Sequence, residues 1–312
     1  MKNSEIFKNV EMQIRNRNLD NQATAMIKFK TAILDEDFHK LDTKWRQLVL
    51  QEVKLEAEKK STDKLKNQIK DVYLKREKQL NKLGFNIDDF KIQYTCNECK
   101  DTGIINGHRC NCFNKIYHQK LFEASNINVK HSFYLEDFAI SCYENKDEGA
   151  KLLAFITKYI NEFGKSSYNN LLLVGATGSG KTFISEVIAN ELINKNYLVT
   201  FYTSFQISQM LLKWHSENFD EKEVLAEQVL DADLLIIDDL GTEPIYKNVS
   251  LQYYQSIIDT RMFYRKPTII TTNLLPEQMI DLYGDRLFSR LYNNIDSVVL
   301  KLNNWDIRKK QK

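Results

Sequence analysis

The run Gly175-Ala-Thr-Gly-Ser-Gly-Lys-Thr182 follows directly on the apolar stretch Leu171 to Val174 and matches Gly-x-x-x-x-Gly-Lys-Ser/Thr in full. Three of the chain's ten glycines fall in six residues. Glycines there let the backbone curl until successive N–H groups face one point, and the helix expected next adds its positive N-terminus. Such a cradle takes phosphate. Gly175, Gly178, Ser179 and Gly180 would line it, Lys181 would neutralise the outer phosphates of a nucleotide, and the Thr182 hydroxyl would complete a Mg²⁺ shell.

A second group of oxygen donors stands where such a site needs it. Leu234 to Ile237 is an apolar strand ending in Asp238 and Asp239, 57 residues after Lys181. Asp238 would hold Mg²⁺ through water, and Asp239 would act on an attacking water as base or orienter. A third apolar strand, Thr268 to Thr271, runs into Thr272-Asn273, and Asn273 is the candidate to hydrogen-bond that water or the terminal phosphate. Beyond it, Arg286 and Arg290 lie four apart, on one helix face. A guanidinium fork suits charge spread over phosphoryl oxygens, so a subunit edge here would carry Arg290 to a neighbour's nucleotide. A surface ion-pair helix using Asp281 and Asp285 explains the same spacing.

Four of the five cysteines, Cys96, Cys99, Cys110 and Cys112, lie within seventeen residues. Four thiolates so close suit a tetrahedral Zn²⁺ site, and an iron-sulfur cluster uses the same number. Residues 100–109 read as a small hairpin with Asn106-Gly107 at its turn, which brings the two pairs together. The single residue between Cys110 and Cys112 is short for a zinc knuckle, so His108 is an alternative fourth ligand. Cys142 stands apart and is expected to be a small buried residue.

These groups need elements to hold them. At 312 residues the chain has room for about two domains on the prior of ~100–200 residues each. From Asn21 to Leu83 there is no Gly or Pro, and apolar residues recur at helical spacing: Leu41, Trp45, Leu48 and Val49, then Ile69, Val72, Tyr73, Leu80 and Leu83. Gly84 is placed to end the last helix. The result is a bundle or hairpin packed on itself, or one with a stripe left for a partner. A short helix is expected at Lys115 to Glu123. After about residue 126 short apolar runs at Leu171–Val174, Leu198–Tyr202, Leu234–Ile237, Thr268–Thr271 and Val298–Leu300 alternate with helices at Thr182–Asn194, Phe205–His215, Val249–Tyr264 and Pro276–Asn293. That alternation predicts an α/β fold, a parallel sheet covered on both faces. Forty-four basic against 42 acidic residues neither require nor exclude nucleic acid. No apolar run is long enough to span a bilayer and the first residues form no apolar leader, so a cytoplasmic protein is expected.

The glycine loop, the Asp-Asp strand end, the Asn strand tip and the Arg-x-x-x-Arg helix together resemble the AAA+ ATPases of the bacterial replicative helicase loader group, DnaC/DnaI type, over roughly residues 126–312. Leu235 to Glu243 is particularly similar to theirs, and the transposition helper ATPase IstB shares the core. The resemblance implies ATP and Mg²⁺ at Lys181, Thr182, Asp238 and Asp239, sensor 1 at Asn273, an arginine finger at Arg290 or Arg286, and sensor 2 at Arg308. It also implies self-association through AAA+ interfaces. A connector from His131 to Phe138 would close over the adenine, with Phe133 and Tyr134 available to stack, and Thr203 to Phe219 would carry Ser204, Gln206, Lys213 and Trp214 toward single-stranded DNA. By the same resemblance residues 1–95 form a helical partner-binding region, 96–125 a zinc module and 126–312 the ATPase domain. The implied function is ATP-dependent loading of a hexameric replicative helicase onto single-stranded DNA. Two other readings stay open: a transposition helper engaging duplex DNA and a transposase, and an adaptor in which nucleotide gates a scaffold with little turnover.

Overall fold

The computed structural model describes residues 2–127, 133–165, 170–216, 229–246, 250–293 and 295–302, with the side chains of 214–216 and 250 excepted. His131, the Trp214 side chain, Phe219 and Arg308 therefore lie outside the described residues. By contacts the chain divides into two compact units, Val10–Phe113 and Met1–Asn9 with Asn114–Lys312.

Helix begins earlier than the apolar spacing indicates. α1 spans Asn3–Ile33, α2 Glu36–Ala57 and α3 Asp63–Lys82. Asp35 caps α2 by accepting the Phe38 N–H, and Gly84, at φ 79°, follows α3 as expected. Within the first unit α2 and α3 pair, and Phe38 and Leu80 are buried with Ala32, flanked by Phe29, Phe85 and Phe90. The two helices also share a buried ion pair: Arg76 Nε donates to Asp42 Oδ1 at 2.7 Å, while Arg46 Nε takes Oδ2 at 2.6 Å. Arg76 lies over the rings of Trp45 and Phe38 as well. Arg76→Ala leaves a buried carboxylate with one partner, so it should lower stability by about 2 kcal/mol in a urea titration, with Arg46→Ala, more exposed, costing well under half of that.

A two-stranded hairpin, β1 (Ile104–Ile105) and β2 (His108–Arg109), turns at Asn106 and Gly107, whose φ values of 50° and 80° are those of the tight hairpin turn. α4 (Asn111–Ala124) follows, four residues longer at its start than expected. α5 (Lys146–Asn161), capped by Asn145, was not foreseen, although Ile156, Tyr159 and Ile160 form a readable apolar stripe.

The second unit contains the sheet. Its strands are β3 (Asn170–Gly175), β4 (Val199–Thr203), β5 (Leu234–Leu240), β6 (Thr268–Thr272) and β7 (Ser297–Leu302), all parallel, in the order β4-β5-β6-β3-β7. All five were expected within a few residues of these bounds. The helices are α6 (Lys181–Asn194), α7 (Ser204–Ser216), α8 (Ser250–Phe263) and α9 (Pro276–Leu291). Leu172, Leu235, Ile237 and Ile270 from the sheet are buried with Ile207, Ile257, Met279 and Leu287 from the helices. α9 is not one continuous helix as expected: Gly284, at φ 79° and ψ 161°, breaks it. Among the described residues no helix is long and apolar enough to cross a membrane.

Candidate functional site

The strand order explains how three distant sequence segments meet. β6 lies between β3, which leads into the glycine loop, and β5, which ends in the two aspartates. Parallel strands end on the same side, so loops after β3, β5 and β6 share one rim, and the connection leaving β3 crosses the sheet in the opposite direction to those leaving β5 and β6.

At that rim Gly178 and Gly180 have φ of 84° and 90°, and Gly180 caps α6 in the left-handed conformation. Gly175 is also obligatory: a Cβ there would stand 2.7 Å from the Leu302 carbonyl oxygen. The Lys181 ammonium is buried and donates to the carbonyls of Gly175 and Ala176 at 2.8 and 3.0 Å. Burial lowers its pKa, against the opposing effect of Asp239 and Asp238. The Thr182 hydroxyl donates to both Asp238 oxygens, 3.1 and 3.0 Å away. Burial raises the Asp238 pKa and Asp239 adds to this, while hydrogen bonds from Thr271 and Thr182 oppose it. One hydroxyl and one carboxylate thus converge at hydrogen-bond distance, a set of hard oxygen donors suited to Mg²⁺.

Asp239 differs from its neighbour. It is exposed and left-handed at φ 56°, where the β5–β6 register shifts. Its N–H donates to Thr271 Oγ1 at 2.8 Å, and Thr271 in turn donates to Asp238 Oδ1 at 2.7 Å. Thr271 thus orients both aspartates, a role no motif announced.

A cavity of about 760 Å³ opens over the loop, and its polar lining includes Gly178, Lys181, Thr182, Asp239 and Asn273. Phe133, Phe138, Tyr143 and Phe183 line it as well. The Phe133 and Phe183 rings lie 5.0 Å apart, and Phe138 stacks on Tyr143 at 5.4 Å. The sequence pointed to Phe133, which lines the cavity, and to Tyr134, which does not; Tyr143 and Phe183 were missed. Cys142 also lines the cavity and is half-buried, not the core residue expected. Glu186, one helical turn beyond Thr182, was missed as well; burial, helped by Asp238, pushes its carboxyl up to about 7.

The arginines are elsewhere. Arg286 and Arg290 both pair with Asp259 of α8, at 3.1 and 3.0 Å, in place of the expected Asp281 and Asp285, and neither lines the cavity. On α7, Ile207 and Leu211 are buried, Gln206 and Lys213 are exposed, and Ser204 is fully buried and bonded to the Asp239 carbonyl at 2.7 Å. Ser204 therefore faces inward, not toward the surface as the resemblance implies.

In the other unit, the Sγ atoms of Cys96, Cys99, Cys110 and Cys112 all lie within 4.8 Å of one another, with 3.8 Å between Cys96 and Cys110 and 3.5 Å between Cys99 and Cys112. Four Zn–S bonds of about 2.3 Å in a tetrahedron separate sulfurs by about 3.8 Å, so the set fits zinc. Gly103 N–H donates to Cys99 Sγ, and buried Asp101 accepts from the Thr95 and Cys96 N–H groups while pairing with Arg17 at 2.8 Å. These contacts orient the ligand loop. His108 is exposed and outside the four-sulfur set.

A family model described as IstB-like ATP binding protein matches residues 130–312. The replicative helicase loader DnaC of Escherichia coli (strain K12) is 27% identical over 192 residues, 60% of this chain and 74% of that protein. The replicative helicase loader DnaI of Bacillus subtilis (strain 168) is 25% identical over 229 residues, 65% of this chain and 71% of that one. The crystal structure of the DnaC helicase loader aligns with a TM-score of 0.44 and 22% identity, over 54% of this chain and 98% of that one.

Proposed function

Because the chain belongs to the IstB-like ATP-binding protein family, we propose that it is an ATPase that loads a hexameric replicative helicase onto single-stranded DNA in the initiation of DNA replication. The observation that carries the ATP half is the convergence of Lys181, Asn273 and Thr182, itself bonded to Asp238, on one cavity that aromatic rings also line. The helicase half is supported by the relatives named as helicase loaders.

In this reading the triphosphate lies in the 175–182 loop, and Lys181 exchanges the Gly175 and Ala176 carbonyls for phosphate oxygens. Thr182, and Asp238 through water, would hold Mg²⁺, which would supply positive charge to the phosphates. Asp239 and Asn273 orient the attacking water. Arg290, with Arg286 as the alternative, serves the site of an adjacent copy; that it does not line its own cavity supports action in trans. Arg308 is proposed as sensor 2. Residues 1–95 would engage the helicase, 96–125 would be the zinc module and 126–312 the ATPase domain, in a cytoplasmic protein that assembles through its ATPase faces.

Phe133→Ala removes one aromatic face from the cavity, and loss of a base-stacking partner is worth about 1–3 kcal/mol, so calorimetry should show ATP binding about tenfold weaker. The helicase reading is tested by gel filtration of the full chain with the replicative helicase of the same cell, with ATP and Mg²⁺. Co-elution is expected, and separate elution overturns it. The transposition-helper reading predicts the reverse, indifference to helicase and ATP-dependent assembly on duplex DNA.

A further inference from the structure

The turn that follows Asp239 contains a buried carboxylate that the chemistry above does not use. Asp239 sits at φ 56°, a conformation that costs a non-glycine residue about 1–2 kcal/mol and persists only where its surroundings impose it. Three hydroxyls impose part of it. Thr271 accepts the Asp239 N–H, while Ser204 and Thr242 donate to the Asp239 carbonyl at 2.7 and 2.9 Å.

Glu243 closes the same turn from below. It is 6% exposed, and its Oε2 accepts the Gly241 N–H at 2.8 Å while its Oε1 accepts the Tyr283 hydroxyl. Gly241 is held at φ 107°, with space for a Cβ filled by Leu274 of the Asn273 loop. Tyr283 is 1% exposed and immediately precedes Gly284, where α9 breaks. The segment past the break carries Arg286 and Arg290. Tyr254, edge-to-face with Tyr283 at 6.1 Å, donates to the Ser204 carbonyl and ties the network to the start of α7.

We propose that Glu243 is a positioning residue for ATP hydrolysis, holding the turn that aims Asp239 and tying that turn, through Tyr283, to the arginine-bearing part of α9. A shift of that part of α9 reaches Asp239 by this route. The inference rests on the ATPase reading. The Gly241 N–H and the Tyr283 hydroxyl each donate to their own oxygen of a charged carboxylate; a glutamine would turn its NH₂ toward one of them and exchange charge-assisted bonds for weaker neutral ones.

The test uses the full chain in steady-state ATP hydrolysis, with affinity for a non-hydrolysable ATP analogue and thermal melting measured in parallel. Tyr283→Phe keeps the ring and deletes one hydrogen bond. It should lower kcat about tenfold, as small misplacements of a catalytic group do, with KM and analogue affinity within about twofold of wild type. Glu243→Gln should act in the same direction at least as strongly, and the double variant should be no worse than Glu243→Gln alone. Should Glu243→Gln fail to fold, Tyr283→Phe decides. Wild-type turnover with kcat unaltered by Tyr283→Phe overturns the proposal and leaves the ATPase reading intact, as does a fall in analogue affinity that matches the fall in kcat. No turnover by wild type above Lys181→Ala overturns both.

Discussion

Replacing Lys181 with alanine should reduce ATP hydrolysis at least about 100-fold, the scale seen when one preorganised donor that stabilises transition-state charge is removed from an enzyme site. The side chain's ammonium sits buried at the mouth of α6, bonded to the Gly175 and Ala176 carbonyls. Burial lowers its pKa more than Asp239 and Asp238 raise it, so a triphosphate adds counter-charge beyond theirs. Without it, phosphate oxygens meet a cradle of N–H dipoles and lose the cation of the loop. Lys181→Ala leaves the sheet core untouched, so the far-ultraviolet circular dichroism spectrum should not change. If the variant and wild type release phosphate at equal rates, the chain does not hydrolyse ATP at this loop, and the nucleotide-gated scaffold becomes the better description.

The second large effect concerns the four sulfurs. Purified protein should carry one zinc per chain by elemental analysis, and Cys99→Ser should abolish it. Stripping the metal should unfold the segment around the hairpin, because structural zinc contributes on the order of 10 kcal/mol in small zinc modules. Little else in residues 96–112 substitutes for it: the two strands have two residues each, and the buried groups are Cys99, Asp101, Gly103 and Cys110. Four thiols left without metal would bring their lone pairs together in a pocket already closed by Asp101 and Arg17. His108→Ala should retain full zinc content, since the imidazole is exposed. Elemental analysis showing iron in place of zinc would assign a cluster, and showing neither metal would leave the sulfurs as plain thiols.

The parts of the site that follow one another along the chain could be read directly. The 175–182 loop needs glycine where φ is positive and a lysine at a helix mouth, and both constraints are local, so their residues announce themselves. The four cysteines are similar: a hairpin of known turn type brings pairs thirteen or fourteen residues apart within sulfur–sulfur contact. Apolar runs bounded by polar tips marked all five strands, because buried parallel strands leave little choice of residue.

What escaped was whatever depends on which elements become neighbours. Tyr143 and Phe183 are ordinary aromatics until the cavity forms between their segments. Asp259 lies 27 and 31 residues from the arginines it pairs with, on a different helix, whereas Asp281 and Asp285 looked suitable because sequence spacing sees only one helix at a time. Residue identity and spacing along the chain by themselves determined that a phosphate loop, an acidic strand end and a four-thiol cluster exist. Strand order decided the rest. By placing β6 between β3 and β5, it put Thr271 within reach of both aspartates and Asn273 over the loop. No local preference encodes that order, because it is set by the packing of whole helices against whole strands, each of which buries its apolar face only in that arrangement.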